Sequence, residues 1–267
     1  MSNKIKVELY HDNFQNYKKY GIPKAQLVIA DIPYNLGVNA YASNPMWYNG
    51  GDNANGESKV AAKPFFNCDG QFKIAEYFHF CNKLLKKEPK EKGQAPAMIV
   101  FCAFEQLETV KKYGEQYGFK HSYPLVFVKN YSAQVLKANM KIVGATEYAL
   151  VLYRDKLPKF RNIDENGKNH MIFNWFEWKR DTKSIPKIHP TQKPVNVLKQ
   201  IIKIFTDEGD VVIDPCAGSG STLRAALELN RDSYGFEIDR NFYKRAKEEM
   251  LVLPEQSQIS LFWEENQ

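Results

Sequence analysis

Short apolar runs alternate along the chain with stretches of helical spacing. Residues 5–10 (IKVELY) and 25–30 (AQLVIA) read as strands on either side of a short helix near 13–20. Residues 71–87 repeat at helical spacing, with Phe72, Ala75, Phe78 and Leu85 on the apolar side. A charged linker, 88–96, leads to the strand 97–102 (AMIVFC), a helix near 104–117 and a strand at 123–129. A further strand fills the second half of 144–153. The last third reads as helix 194–205, strand 210–213, helix 221–229, strand 233–238 and helix 241–250. Strands alternating with helices predict an α/β fold, a mostly parallel sheet covered by helices on both faces. No internal repeat is present.

Two segments interrupt this rhythm. Residues 35–70 are rich in Asn, Gly, Ala and Ser, carry Tyr41, Trp47, Tyr48 and Phe65, and have little periodicity. Loops of that length are usually functional or mobile. Residues 154–187 read as an insertion standing apart from the sheet, so the body is expected to comprise 1–153 and 188–253, with a flexible tail at 254–267. Net charge is +6 over 267 residues, and the window 154–193 alone holds ten Lys or Arg against five acids. Phe160, Phe173, Trp175, Phe176 and Trp178 are interleaved with those charges. Basic groups neutralise phosphates while aromatic rings pack on bases, so this segment suits nucleic acid; a solvated surface is the plain alternative.

Hydrophobic residues at 43% and charged residues at 25% are enough for a substantial core. No apolar stretch approaches the roughly 18 residues of a membrane span, and MSNKIKVELY lacks the apolar core of a secretory signal. Cys68, Cys81, Cys102 and Cys216 are scattered, which indicates neither a disulfide framework nor a zinc site. A reducing, cytoplasmic setting is the expectation.

The chemistry-bearing strings lie at strand ends, where open α/β sheets bind ligands. DIPY (31–34) closes the run 27–30. The side chain of Asp31 and the backbone carbonyl of Ile32 can accept both hydrogens of a planar exocyclic amine, freeing its lone pair for alkylation. Pro33 restrains the turn, and Tyr34 offers a ring face to a base rotated out of a duplex. A strand-ending turn without chemistry is the simpler alternative. DPCAGSGST (214–222) closes the run 211–213; Gly218 and Gly220 permit a sharp turn and close ligand approach. No Lys precedes its Ser and Thr, which disfavours a nucleoside triphosphate. Glu237, about twenty residues further on, stands where carboxylates bind ribose hydroxyls.

Residues 31–36 (DIPYNL), 189–194 (HPTQKP), 214–222 (DPCAGSGST) and 235–238 (GFEI) together resemble the amino-methyltransferases that modify DNA adenine N6 or cytosine N4. The order, catalytic turn first and cofactor turn last, resembles their β-type permutation. This resemblance implies a seven-stranded Rossmann-like sheet, S-adenosylmethionine as methyl donor, and target recognition by 154–187. It implies that Asp31, Ile32 and Pro33 hold the amine and that Tyr34 stacks on the flipped base. It further implies that Asp214, Cys216, Ala217, Gly218, Ser219, Gly220, Ser221 and Thr222 surround the methionine part of the cofactor. Glu237 takes the ribose, Ile238 lies under the adenine, Asp12 faces the adenine amine, and Lys193 lies in the segment that closes over the cofactor. For Asp12 a helix-cap role is the alternative.

Two positions depart from that family's pattern: Ile32 stands where its turn usually has Pro, and Cys216 replaces a usual Phe. Asp rather than Ser at 31 leans toward adenine N6. The expectation is therefore a site-specific DNA adenine N6-methyltransferase of bacterial or phage origin, of the restriction-modification type. Cytosine N4 or RNA as acceptor is the nearest rival, and a non-catalytic DNA-binding protein the rival of another class. The loop 35–70 or a second subunit, as in a homodimer, would share target recognition. In the tail, QISLF (258–262) resembles the peptide by which bacterial proteins bind the sliding clamp, with Gln258, Leu261 and Phe262 as its contacts. Docking of those residues back on the sheet is the other reading.

Overall fold

In the computed structural model, which describes residues 5–33, 72–130, 134–137, 142–189 and 191–252, alternate residues of the run 27–32 face opposite layers. Leu27 and Ile29 pack with Val197, Leu198 and Ile201, whereas Val28, Ala30 and Ile32 pack with Tyr77, Phe78 and Phe80. That two-residue period is the signature of a strand buried on both sides.

Among the described residues the chain runs β1 (Val7–His11), β2 (Leu27–Asp31), α1 (Ile74–Leu84), β3 (Ala97–Cys102), α2 (Leu107–Gln116) and β4 (His121–Lys129). Then come β5 (Gln134–Lys137), β6 (Ile142–Gly144), β7 (Thr146–Tyr153), β8 (Trp175–Trp178) and α3 (Val195–Phe205). The body closes with β9 (Val211–Asp214), α4 (Ser221–Leu227), β10 (Asp232–Glu237) and α5 (Arg240–Arg245). Eight strands form one sheet in the order β1-β10-β9-β2-β3-β7-β4-β8. All are parallel except β7, which runs against both β3 and β4. Helices α1 and α2 cover one face, and α3 with α4 the other.

Two features depart from the sequence reading. Between β4 and β7, strands β5 and β6 pair antiparallel, which the short runs there did not signal. The sheet has an eighth strand, drawn from the segment 154–187 that was expected to stand apart. Strand β8 pairs in parallel with β4, and its residues alternate, Phe176 and Trp178 turning inward while Trp175 and Glu177 turn outward. Phe176 stacks on Phe127, and Trp178 meets the same ring edge-on. These two rings are core rather than nucleic-acid platforms; Phe173 and Trp175 remain exposed.

The basic run is likewise divided. Arg154 donates to Lys86 and Asn82 carbonyls, and Arg161 grips Asp207 with its Nε at 2.7 Å. Lys159 is buried, its Nζ 2.6 Å from Asp210 Oδ2 and 2.7 Å from Asp207 Oδ2, while Lys86 reaches Asp210 Oδ1 at 2.8 Å. Lys159 and Arg161 stitch the start of the segment to the turn before β9, and Arg154 ties it to the end of α1. The exposed cations of the segment lie further on, at Lys168 and in the stretch from Lys179 to Lys187.

Removing one member of a buried ion cluster strands the opposite charges. Lys159→Met is expected to cost about 3 kcal/mol of folding stability in urea titration; a loss below about 0.5 kcal/mol would show that the cluster is not buried in solution.

Candidate active site

Parallel register carries three acids to the same end of three neighbouring strands, β10, β9 and β2. His11 is level with Glu237 across β1 and β10, and Gly235 with Asp214 across β10 and β9. Val28 is level with Ile213 across β2 and β9, so Asp31 and Asp214 end adjacent strands. Parity then selects the face. Leu27, Ile29 and Val212 lie on the α3–α4 side, and Asp31 and Asp214 continue those rows. Gly235 faces α4 as well: a Cβ there would come within 2.8 Å of Leu223 Cδ1. Glycine at 235 thus lets α4 close on β10, and Glu237, two residues on, emerges on the same side.

The turn after β9 is tied down from several directions. Asp214 Oδ1 accepts from Cys216 N at 2.9 Å, and Thr222 also hydrogen-bonds that carboxyl. Ala217 N donates to Phe236 O at 2.9 Å, and Gly220 N to Ala217 O at 2.7 Å. Ser219 and Ser221 share a hydroxyl contact of 2.8 Å. Gly218 and Gly220 have φ of +51° and +77°, left-handed values that a side chain would strain. Glu237 accepts from Asp239 N at 2.6 Å and from the Gly218 N–H, joining β10 to the glycine turn. Ile238 is exposed beyond it.

Burial pushes Asp214 up to about 7 against the hydrogen bonds of Thr222 and Cys216 N, with the charge of Asp31 adding to the rise. Burial likewise lifts Glu237 to about 7, opposed by the Asp239 and Gly218 N–H groups. The Cys216 thiol is pushed well above its usual range by burial and by the nearby Asp214 and Glu237. Three carboxyl groups gathered on one face favour a ligand rich in hydrogen-bond donors and positive charge, and they disfavour a phosphate.

The DIPY turn is held from β3. Ile32 N donates to Phe101 O at 3.1 Å, the Ile32 side chain is buried, and Gln106 Nε2 donates to Pro33 O at 3.1 Å. The oxygen of the same Gln106 amide accepts from Ala103 N at 3.0 Å. Gln106, which sequence reasoning passed over, therefore braces the turn; only its place just after an apolar strand could have drawn attention to it. Tyr34 lies outside the described residues, as do Gln258, Leu261 and Phe262.

Two assigned side chains have contacts that the sequence did not show. Lys193, placed by resemblance in a segment over the cofactor, puts its Nζ 2.5 Å from Asp31 Oδ2. The cause is the helix it precedes: α3 covers the face on which Asp31 emerges. Asp12, expected to face an adenine amine, binds its own following turn. Its Oδ1 accepts from Asn13 N at 2.8 Å and Asn16 Nδ2 at 2.6 Å, and its Oδ2 from Tyr20 Oη at 2.9 Å. Burial opposes its charge, yet these bonds and Lys19 hold it at about 2. The cap of that turn is Asn13, whose side chain accepts from Gln15 N at 3.0 Å.

A family model described as DNA methylase, N6_N4_Mtase, matches residues 25–248. The chain belongs to this family. As a methylase it is 27% identical over 263 residues to DNA adenine methyltransferase YhdJ of Escherichia coli, covering 91% of this chain and 81% of that protein. Its fold is similar to that of the M1.HpyAVI–SAM complex (TM-score 0.64, 20% identity, 91% of this chain and 98% of that one). PvuII DNA methyltransferase, cytosine-N4-specific, is similar too (TM-score 0.65, 14% identity, 97% and 95%). Among the described residues of the methylase no helix is long and apolar enough to cross a membrane.

The raised carboxyls set a pH dependence. Between about pH 4.5 and 7 the folded methylase keeps protons on Asp214 and Glu237 that the unfolded chain has released. Their contribution to stability is full at the acid end of that window and is lost as pH rises through 7. His189, lowered to about 4 by burial, opposes part of this between about pH 4 and 6.5, whereas Asp12 and Asp207, each held at about 2, oppose it only below that window. The denaturation midpoint of the ligand-free protein is expected to fall from about pH 5 to about pH 8, and Glu237→Gln should flatten the fall. An unchanged slope in that variant would show that Glu237 is ionised throughout.

Proposed function

We propose that this methylase transfers the methyl group of S-adenosylmethionine to N6 of an adenine rotated out of duplex DNA. The observation that carries the reading is the emergence of Asp31 and Asp214 on one face, at the ends of adjacent strands. Bound there, the cofactor supplies an electrophilic methyl on a sulfonium. Asp214 and Glu237 suit its donors, Glu237 accepting from ribose hydroxyls and the glycine turn closing on its methionine part. Ile238, exposed just past Glu237, suits the adenine ring.

On the other side of the gap, Asp31 and the Ile32 carbonyl accept the two hydrogens of the substrate amine. A turn braced by Phe101 O and Gln106 makes these acceptors fixed beforehand, so little reorganisation precedes attack. Tyr34 stacks on the extruded base, which a duplex would otherwise bury. Asp at position 31 and the similarity to a protein named as an adenine methyltransferase both favour adenine. The fold shared with a cytosine-N4-specific enzyme keeps cytosine as the second reading.

DNA approach is supported by the segment that follows β8. Because β8 is parallel to β4 and β3, its chain leaves at the end of the sheet where Asp31 lies. Lys179, Arg180, Lys183 and Lys187 are exposed there. Residues 154–187 would thus read the target with their second half, the first half being tied to the body. A double variant, Lys183→Gln with Lys187→Gln, should lower the slope of log affinity against log salt by up to about two. A slope unchanged from wild type would remove these residues from the interface.

The reading is tested by methylating duplex DNA, digesting it and separating the nucleosides by mass spectrometry. N6-methyladenine is expected, and Asp31→Ala should reduce it by about 10³-fold while leaving DNA affinity within about threefold. N4-methylcytosine as the product would give the second reading the place. Undiminished transfer by Asp31→Ala would end the first.

A further inference from the structure

Lys193 enters the site from the chain leading into α3, and its side chain is buried. Its Nζ stands 2.5 Å from Asp31 Oδ2, 5.4 Å from the centre of the Phe101 ring and 5.7 Å from that of Trp178. Phe101 comes from β3 and Trp178 from β8. A second cation, Lys129, lies 5.0 Å from the Trp178 ring and 2.5 Å from Glu147 Oε1. The charged and titratable groups facing Lys193 are therefore Asp31 of β2, Cys102 of β3, Glu147 of β7, Asp214 of β9 and His189 of its own segment. Burial alone would favour a neutral amine, but the charges of Asp31 and Glu147 outweigh it and raise the pKa of Lys193.

A carboxyl accepts at either oxygen only while it is anionic, and it keeps its aim only if it does not rotate. Asp31 stands beside another carboxyl, Asp214, and two such groups in a shared site resist joint ionisation. A desolvated ammonium on one oxygen removes that conflict and locks the carboxylate plane. We propose that Lys193 is the positioning residue of Asp31, keeping it anionic and oriented toward the substrate amine, with Phe101 and Trp178 holding the ammonium in place. The inference rests on Asp31 being the amine acceptor. Lys193 exchanges no proton in this scheme; the proton lost by the methylated nitrogen goes to water.

The test uses the full chain, S-adenosylmethionine and a duplex that the wild type methylates, under single-turnover conditions at saturating cofactor. Lys193→Met should lower the transfer rate about 10²-fold while cofactor affinity, by calorimetry, stays within about threefold. The acid limb of its rate–pH profile should move up by about one unit or more, because Asp31 then lacks its cation. Lys193→Arg, which keeps the charge, should recover part of the rate and return the acid limb to its wild-type position. Should Met prevent folding, Lys193→Gln carries the same measurements.

A Lys193→Met rate within about threefold of wild type with an unmoved acid limb overturns the proposal. So does weakened cofactor affinity with an unchanged saturated rate, which would make Lys193 a cofactor ligand. Asp31→Ala separates this failure from that of the parent reading. Full transfer by Asp31→Ala sinks the acceptor role itself, whereas its loss alongside a normal Lys193→Met sinks only the inference about Lys193.

Discussion

Strands β2, β9 and β10 lie side by side, run in parallel and keep alternate residues on opposite faces, so Asp31, Asp214 and Glu237 emerge together on the α3–α4 side. The rest of the site depends on that register. Shifting any of the three strands by one residue would turn its acid into the layer of α1 and α2, which is packed with Tyr77, Phe78 and Phe80. The fully buried runs of β2, β3 and β9 resist such a shift, because it would trade a packed face for a misfitted one. Core packing and site geometry are in this sense one constraint.

The register also creates an electrostatic problem and shows how it is met. Carboxyls at neighbouring strand ends, two of them raised to about 7, cannot all ionise cheaply in a buried site. One is met by the ammonium of Lys193, another is tied to backbone N–H groups at Asp239 and Gly218, and the set matches a ligand carrying positive charge and donors. The ring of Trp178 is shared by Lys193 and Lys129 and belongs to the strand from which the exposed basic stretch departs. The exposed basic stretch and Asp31 are thereby parts of one packed unit.

Much of this was legible in the order of residues. Apolar runs at 27–30, 97–102 and 211–213 named the central strands, since buried parallel strands are apolar throughout. Turn chemistry at 31–34 and 214–222 pointed to strand ends that the register brings side by side. What stayed hidden depended on long-range packing. Phe176 and Trp178 sit among charges and look like a binding surface, yet the edge of β4 turns them inward. Lys159 and Arg161 look like free cations until Asp207 and Asp210 are brought against them. The place of Lys193 followed from which face α3 covers, a fact no local pattern carries, and the contacts of Gln106 arise only because β2 and β3 end level.

The central claim is that cofactor and amine meet at the gap between the tips of β9 and β2. A crystal structure with sinefungin, whose amine replaces the methyl-bearing sulfonium, tests it most directly. The account predicts the adenosine end over β10 beside Glu237 and the amine turned across β9 toward Asp31. Sinefungin bound with its amine directed toward β1, away from Asp31, would contradict it.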